Sequence, residues 1–204
     1  MCIRDSLHVD AEGAIKSEIG FPEDLMAHET RYGLEGITTV GVGDELMLVM
    51  AIQREWRDDP KGQVKLLAYK PAAKEWSAVR YPLDAAQAGW MGLSEITAYD
   101  GMLYIVERDN LLGDQARVKR LYSVSLDSFK PAKLGGELPL VEKTLVRDLI
   151  GDLKSATNGY VVDKVEGFTI DKDGQAFVVT DNDGVADSSG ETLFLRLGNI
   201  AAIN

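Results

Sequence analysis

The sequence predicts an all-β fold, a β-propeller represented by about three four-stranded blades of a larger, six-bladed ring. Three observations predict it. One six-residue segment recurs three times, each copy is followed by a short run rich in Val, Ile, Phe and Tyr, and helix signals are few.

The copies are Gly33-Leu34-Glu35-Gly36-Ile37-Thr38, Gly92-Leu93-Ser94-Glu95-Ile96-Thr97 and Lys164-Val165-Glu166-Gly167-Phe168-Thr169. They recur after 59 residues (34 to 93) and 72 residues (93 to 165). That is somewhat longer than compact propeller blades of about 40–50 residues. Each copy reads as the first strand of a unit. Second strands follow over 46–55, 103–110 and 176–183, bounded by Gly and Asp. Aligned by their polar ends, Gln53, Glu107 and Thr180 correspond, and so do Arg54, Arg108 and Asp181. Third strands are expected over 64–69, 119–125 and 192–197, and fourth strands over 76–83 and 144–149.

Residues 7–19 read as one outer strand belonging to an earlier unit, and the third unit reads as lacking its fourth strand. The units therefore run over about 33–83, 92–150 and 164–204, and 7–204 reads as a partial, C-terminal piece of a ring. Single helical turns are expected at 84–88 and 146–153, and two-residue hairpin turns at Asp100-Gly101 and Asp173-Gly174. Residues 1–6 resemble a translated sequencing-adapter fragment. They have no apolar stretch and no small-residue cleavage site, so they do not read as a signal peptide.

Composition narrows the chemistry. The net charge is −11, from 22 Lys plus Arg against 33 Asp plus Glu, which disfavours nucleic acid as a partner. No apolar run approaches the roughly 18 residues of a membrane span. With one cysteine, Cys2, there is neither an intramolecular disulfide nor a cysteine zinc site. His8 and His28 both precede the first copy, so no histidine triad lies inside the repeats. Hydrolytic chemistry here would run on carboxylates, a bound metal ion, or both.

First strands line the channel of a propeller, so Glu35 and Glu166 recur at equivalent positions, with Ser94 in the middle copy and Glu95 beside it. Converging carboxylates repel unless a cation or an arginine lies between them; alternatively each caps neighbouring backbone N–H groups. An all-oxygen donor set suits calcium better than zinc. The expected Ca²⁺ ligands are Glu35, Glu166, Asp181, Asn182 and Asp183. The last three, with Gly184, resemble the start of a calcium loop without EF-hand spacing. Glu107-Arg108-Asp109-Asn110 is the densest polar cluster at a strand end. Its arginine either neutralises the flanking acids or receives an anion in bidentate fashion, as Gln53-Arg54 could one unit earlier. Trp56 and Trp90 read as packing residues.

Taken together, Gly33-Leu34-Glu35-Gly36-Ile37, Gln53-Arg54 with Trp56, Gly89-Trp90-Met91-Gly92-Leu93-Ser94-Glu95-Ile96, Val106-Glu107-Arg108-Asp109-Asn110, Lys119-Arg120-Leu121-Tyr122, Val165-Glu166-Gly167-Phe168 and Thr180-Asp181-Asn182-Asp183 resemble the phytase-like family, described as having esterase-like activity of phytase. The resemblance implies a bacterial propeller, periplasmic or secreted, acting as a calcium-assisted phosphoester hydrolase on a small-molecule substrate. On that reading Glu107 and Asp109 are catalytic, and Gln53, Arg54 and Arg108 hold the phosphate. N-terminal blades of the same chain would complete the ring. A non-catalytic binding propeller and a lactonase-type calcium propeller are the alternatives.

Overall fold

The computed structural model describes residues 5–182 and 192–203. The chain is mostly β-structure in small antiparallel sheets, none of them closed. Strands β1 (Asp5–Val9) and β2 (Ile15–Gly20) form a hairpin, followed by the short helix α1 (Glu23–Met26). Next come β3 (Leu34–Val40), β4 (Met47–Ile52), β5 (Gln63–Lys70) and β6 (Glu75–Pro82), hydrogen-bonded in sequence order. The second large sheet contains β7 (Met91–Tyr99), β8 (Met102–Asp109) and β9 (Lys119–Ser125). Between β9 and its own last strand the chain leaves this sheet. The two residues of β10 (Ala132–Lys133) pair with β6 instead and give the first large sheet a fifth strand. The chain then returns as β11 (Thr144–Asp148) beside β9 and enters helix α2 (Ile150–Ala156). The third sheet is β12 (Lys164–Ile170), β13 (Gln175–Asp181) and β14 (Phe194–Asn199).

Several local expectations change. The stretch 7–19 is a hairpin rather than one strand, because Asp10 and Gly13 turn it. Asp10 Oδ1 accepts hydrogen bonds from the N–H groups of Glu12 (3.1 Å) and Ala14 (2.8 Å), and Gly13 takes a φ of 85°. Residues 84–88 hold no helix, and the helix expected over 146–153 starts only after β11 ends. Asp100 and Gly101 make the two-residue turn with both φ positive (45° and 76°). By contrast, the Asp173-Gly174 hairpin is longer. Gly174 N–H closes on Asp171 O across a four-residue connection.

The first strands of the three large sheets lie side by side. Ala98 N–H donates to Thr38 Oγ1 (3.0 Å), and the Thr97 hydroxyl donates to Phe168 O (2.8 Å). Between the first and second sheets, Met50, Leu67 and Tyr81 pack with Ile96, Ile105 and Val124. Between the second and third, Val106 and Leu121 pack with Val165, Phe168, Val178 and Leu153 of α2. Each fully buried aliphatic side chain contributes about 1.5–3 kcal/mol relative to exposure, so these two seams hold the sheets together.

Candidate functional site

All three first strands carry a β-bulge at the same place. The pairing register jumps between Leu34 and Gly36, between Leu93 and Glu95, and between Val165 and Gly167. Glu35, Ser94 and Glu166 are therefore the extra residues. Bulges re-aim side chains and recur beside active sites. The neighbouring position then admits only what the next strand leaves room for. A Cβ on Gly36 would lie 2.5 Å from Glu95 Oε1 and 2.6 Å from Ile96 N, so Gly36 is glycine because Glu95 of β7 lies over it. Gly36→Ala is expected to push β3 and β7 apart and cost about 1–3 kcal/mol, the range for overpacking. Urea melts would show a lower midpoint at unchanged slope.

The bulges assemble a carboxyl–guanidinium group. Arg108 of β8, only 2% exposed, donates from Nη2 to Glu166 Oε1 at 2.6 Å and from Nη1 to Asp163 Oδ1 at 3.4 Å. Its Nε is buried with no hydrogen-bond partner. Glu35 lies in the same field. Burial first, then the charge of Glu166, pushes its carboxyl up to about 7, against the pull of Arg108 and Lys164. Burial also pushes Glu95 up to about 7, opposed by the Ile96 N–H that donates to its Oε1 at 2.8 Å. Two acids poised near neutrality therefore sit on adjacent first strands. Ser94 is a tie between strands: its buried hydroxyl donates to Val165 O at 2.6 Å.

Beside this group the basic side chains stack on aromatic rings. The Arg54 guanidinium lies 4.6 Å from the Tyr32 ring centroid and 4.8 Å from that of Trp90, and Arg108 lies 5.8 Å from Trp90. The Tyr32 hydroxyl accepts from Arg54 Nη1 (3.0 Å) and Arg31 Nη2 (2.9 Å). Burial raises its pKa, but the bonds and charges of the two arginines outweigh burial and leave it below the ordinary value. Trp90 N–H donates to Asn110 Oδ1 at 2.8 Å. A cavity of about 660 Å³ opens against Arg54, Lys61, Leu83, Asp84, Trp90 and Met91.

A family model described as phytase-like, esterase-like activity of phytase, matches residues 7–184. The chain belongs to the phytase-like family. No curated protein and no solved structure matches it. Among its described residues no helix is long and apolar enough to cross a membrane.

This phytase-like chain distributes the expected site residues over separate places. Glu35, Glu166 and Arg108 come together, with Arg54 joined through Trp90. Glu107 does not join them, and Asp109 reaches them only through Lys119, which pairs with Asp163 (3.5 Å) and so with Arg108 (3.4 Å). Glu107, fully buried, accepts at Oε2 from Tyr81 OH (2.9 Å) and Lys143 Nζ (2.6 Å), and at Oε1 from Asp84 N–H (2.5 Å). Burial raises its pKa, with Lys143 and the Asp84 N–H pulling the other way. Asp109 accepts from the N–H groups of Arg117 (2.6 Å) and Val118 (2.9 Å) and pairs with Lys119 at 2.9 Å. Burial works against its ionisation, but Lys119 and those amides hold its pKa below the usual value. The first sheet contains a comparable lock, in which Asp59 accepts from Trp56 N–H and pairs with Lys65 at 2.6 Å. The oxygens of Glu107 and Asp109 are thus engaged in fold-holding contacts.

The strand register also shifts the correspondence by one residue. Leu34, Leu93 and Val165 face Ile52, Glu107 and Thr180, so Gln53 matches Arg108, and Arg54 matches Asp109. Alignment by polar ends missed this because Ile52, an apolar residue, fills the place that Glu107 holds one unit later. Gln53 ties the two sheets through its backbone, donating to Gly33 O (3.0 Å) and accepting from Leu93 N–H (2.9 Å).

Asp181 ends β13 opposite Lys164, Asn182 follows it, and Asp183 lies outside the described residues. Among the described residues no group of three or more His, Cys, Asp or Glu is arranged to hold a metal. Of the expected calcium set, Glu166 has its Oε1 engaged by the Arg108 guanidinium. Spacing gave no sign of Tyr32 or Arg31, and it named Glu95 only as the neighbour of Ser94. The signal for Glu95 was its place opposite a glycine in the other two copies.

Proposed function

We propose that this chain forms consecutive blades of a β-propeller that hydrolyses anionic esters, phosphate monoesters above all, at the mouth where β3, β7 and β12 begin. The propeller reading is supported by sheets stacked face to face with their first strands side by side. The outer face of the third sheet supports further blades of the same kind. There Phe177 and Phe194 stack at 5.4 Å, and Phe194 is 70% exposed, where the other seams are covered. Export to the periplasm or the medium belongs to the same proposal on family grounds.

The observation that carries the enzymatic reading is Glu35, a bulged carboxyl at about 7 beside the Glu166–Arg108 pair. Such a group takes and returns protons at neutral pH. In the proposed reaction a water attacks phosphorus and gives its proton to the Glu35 carboxylate. The P–O bond to the alcohol breaks, and the leaving oxygen receives a proton from Glu35 or solvent. Arg54, with Nε free of a hydrogen-bond partner, balances the phosphoryl charge. Glu166 and Arg108 act as positioning residues that set the pKa of Glu35.

The test is turnover of a phosphomonoester panel by the full chain, with and without chelator. Hydrolysis that survives chelation supports the carboxyl–guanidinium site. Hydrolysis abolished by chelator and restored by Ca²⁺ would return the role to a metal bound by Glu35, Glu166, Asp181, Asn182 and Asp183. No turnover of any ester would favour a binding propeller.

A further inference from the structure

A second cavity lies at the opposite end of the first sheet from the mouth, where β3 ends, β4 begins and β5 turns into β6. Its volume of about 830 Å³ is within the range of sites for small organic molecules. The excursion of the chain between β9 and β11 forms one side of it, held in place where β10 pairs with β6 and Lys133 stands opposite Ser77. The apolar part of the wall is Met47, Trp76, Phe129 and Leu134. Trp76 is fixed edge-on by Phe21 at 5.4 Å and tilted against Tyr69 at 4.8 Å. Four lysines line the same cavity, Lys70 and Lys74 from the β5–β6 hairpin and Lys130 and Lys133 from the excursion.

The carboxylates of this wall are counted with the lysines. Lys70 pairs with Glu45 at 3.7 Å and stands cross-strand from Glu75, and Asp24 is the remaining acid of the wall. Lys74, Lys130 and Lys133 form no ion pair among the described residues. Four ammonium groups against three carboxylates leave one positive charge, in a chain whose net charge is −11. Lys74 also takes a φ of 54°, in the left-handed region that glycine fills without strain. One surplus positive charge above an aromatic surface suits a singly charged amphiphilic anion, whereas a phosphate, at about −1.5 to −2, exceeds it. We propose that this cavity binds an aromatic monocarboxylate, its ring against Trp76 and Phe129 and its carboxylate among Lys74, Lys130 and Lys133. The site shares no residue with the proposed hydrolase and does not rest on that reading.

Isothermal titration of the full chain with 2-naphthoate, the neutral 2-naphthalenemethanol and acetate tests the proposal. The naphthoate is expected to bind at least about ten-fold more tightly than either of the others. Its affinity should fall as salt rises from about 0.05 to 0.5 M, because the four lysines are exposed and their charges are screened. Replacing Lys130 and Lys133 together by alanine should weaken binding by about ten-fold. Lys172→Ala, which removes a charge at a surface turn outside this wall, should leave it unchanged. Lys74→Gly should weaken binding by about three-fold while melting close to the parent, since glycine accepts the positive φ; the loss then reads as lost charge and not as misfolding. No binding of the naphthoate, equal affinity for the neutral alcohol, or affinity indifferent to the Lys74, Lys130 and Lys133 substitutions would overturn the proposal.

Discussion

Glu107→Ala is expected to cost about 3–5 kcal/mol of folding free energy, the largest loss of any single substitution considered for this chain. The carboxylate is buried at the seam between the first and second sheets, where it receives Tyr81 OH, Lys143 Nζ and Asp84 N–H. Lys143 also lies over the Tyr122 ring at 4.0 Å and pairs with Asp84, which in turn holds Arg120. Deleting Glu107 leaves the Tyr81 hydroxyl and the Asp84 amide without their acceptor and the Lys143 ammonium with Asp84 alone. Glu107→Gln keeps an acceptor for the Asp84 N–H but turns an amide towards Lys143, and should cost about 1–3 kcal/mol. Equilibrium urea unfolding gives both numbers. Turnover per folded molecule should change little in the glutamine variant. A stable Glu107→Gln protein without activity would instead restore the catalytic role suggested by its strand-end position.

The second large effect is kinetic. Glu35→Gln should lower kcat by about 10²–10⁴-fold, the usual contribution of a positioned acid or base. Its effect on stability should have the opposite sign to that of Glu107→Ala. The Glu35 carboxyl titrates at about 7 in the folded chain against an ordinary value of 4.5. The native state therefore holds more protons than the unfolded state between those pH values. The neutral acid's contribution is fully present below about 4.5 and is lost as pH rises through about 7. Glutamine does not ionise, so the variant should melt higher than the parent at pH 8 and alongside it at pH 4. A purely structural glutamate that stabilises through its charge would give the reverse order.

The parts of this molecule that were legible in the sequence are those written locally. Glu35, Ser94 and Glu166 could be superposed because each bulge directly follows the same apolar residue of its copy (Leu34, Leu93, Val165), and a bulge is a property of one hairpin. The Asp100-Gly101 turn was legible because both residues accept the positive φ that the turn demands. What was not legible depends on distant chain segments. β10 is two residues long and belongs to the first sheet only because the chain after β9 crosses over to β6. Lys143 lies at the end of that excursion, and no spacing rule connects it to Glu107, 36 residues away. The polar string Glu107-Arg108-Asp109 looked like one cluster. In a strand, successive side chains point to opposite faces, so Arg108 meets Glu166 while Glu107 meets Tyr81 and Lys143. Tyr32 comes from a loop before β3, and only folding sets it against Arg54.

In the proposed reaction a bulged carboxyl, tuned by burial and by its neighbours, performs proton transfer at the mouth formed by the first strands. The pH dependence of kcat/KM for a phosphate monoester, measured in chelator for the parent and for Glu35→Gln, tests it most directly. The parent should show an inflection near 7 that the variant lacks, at a rate lower by about two orders of magnitude or more. A variant that keeps both the inflection and the parental rate would contradict the account.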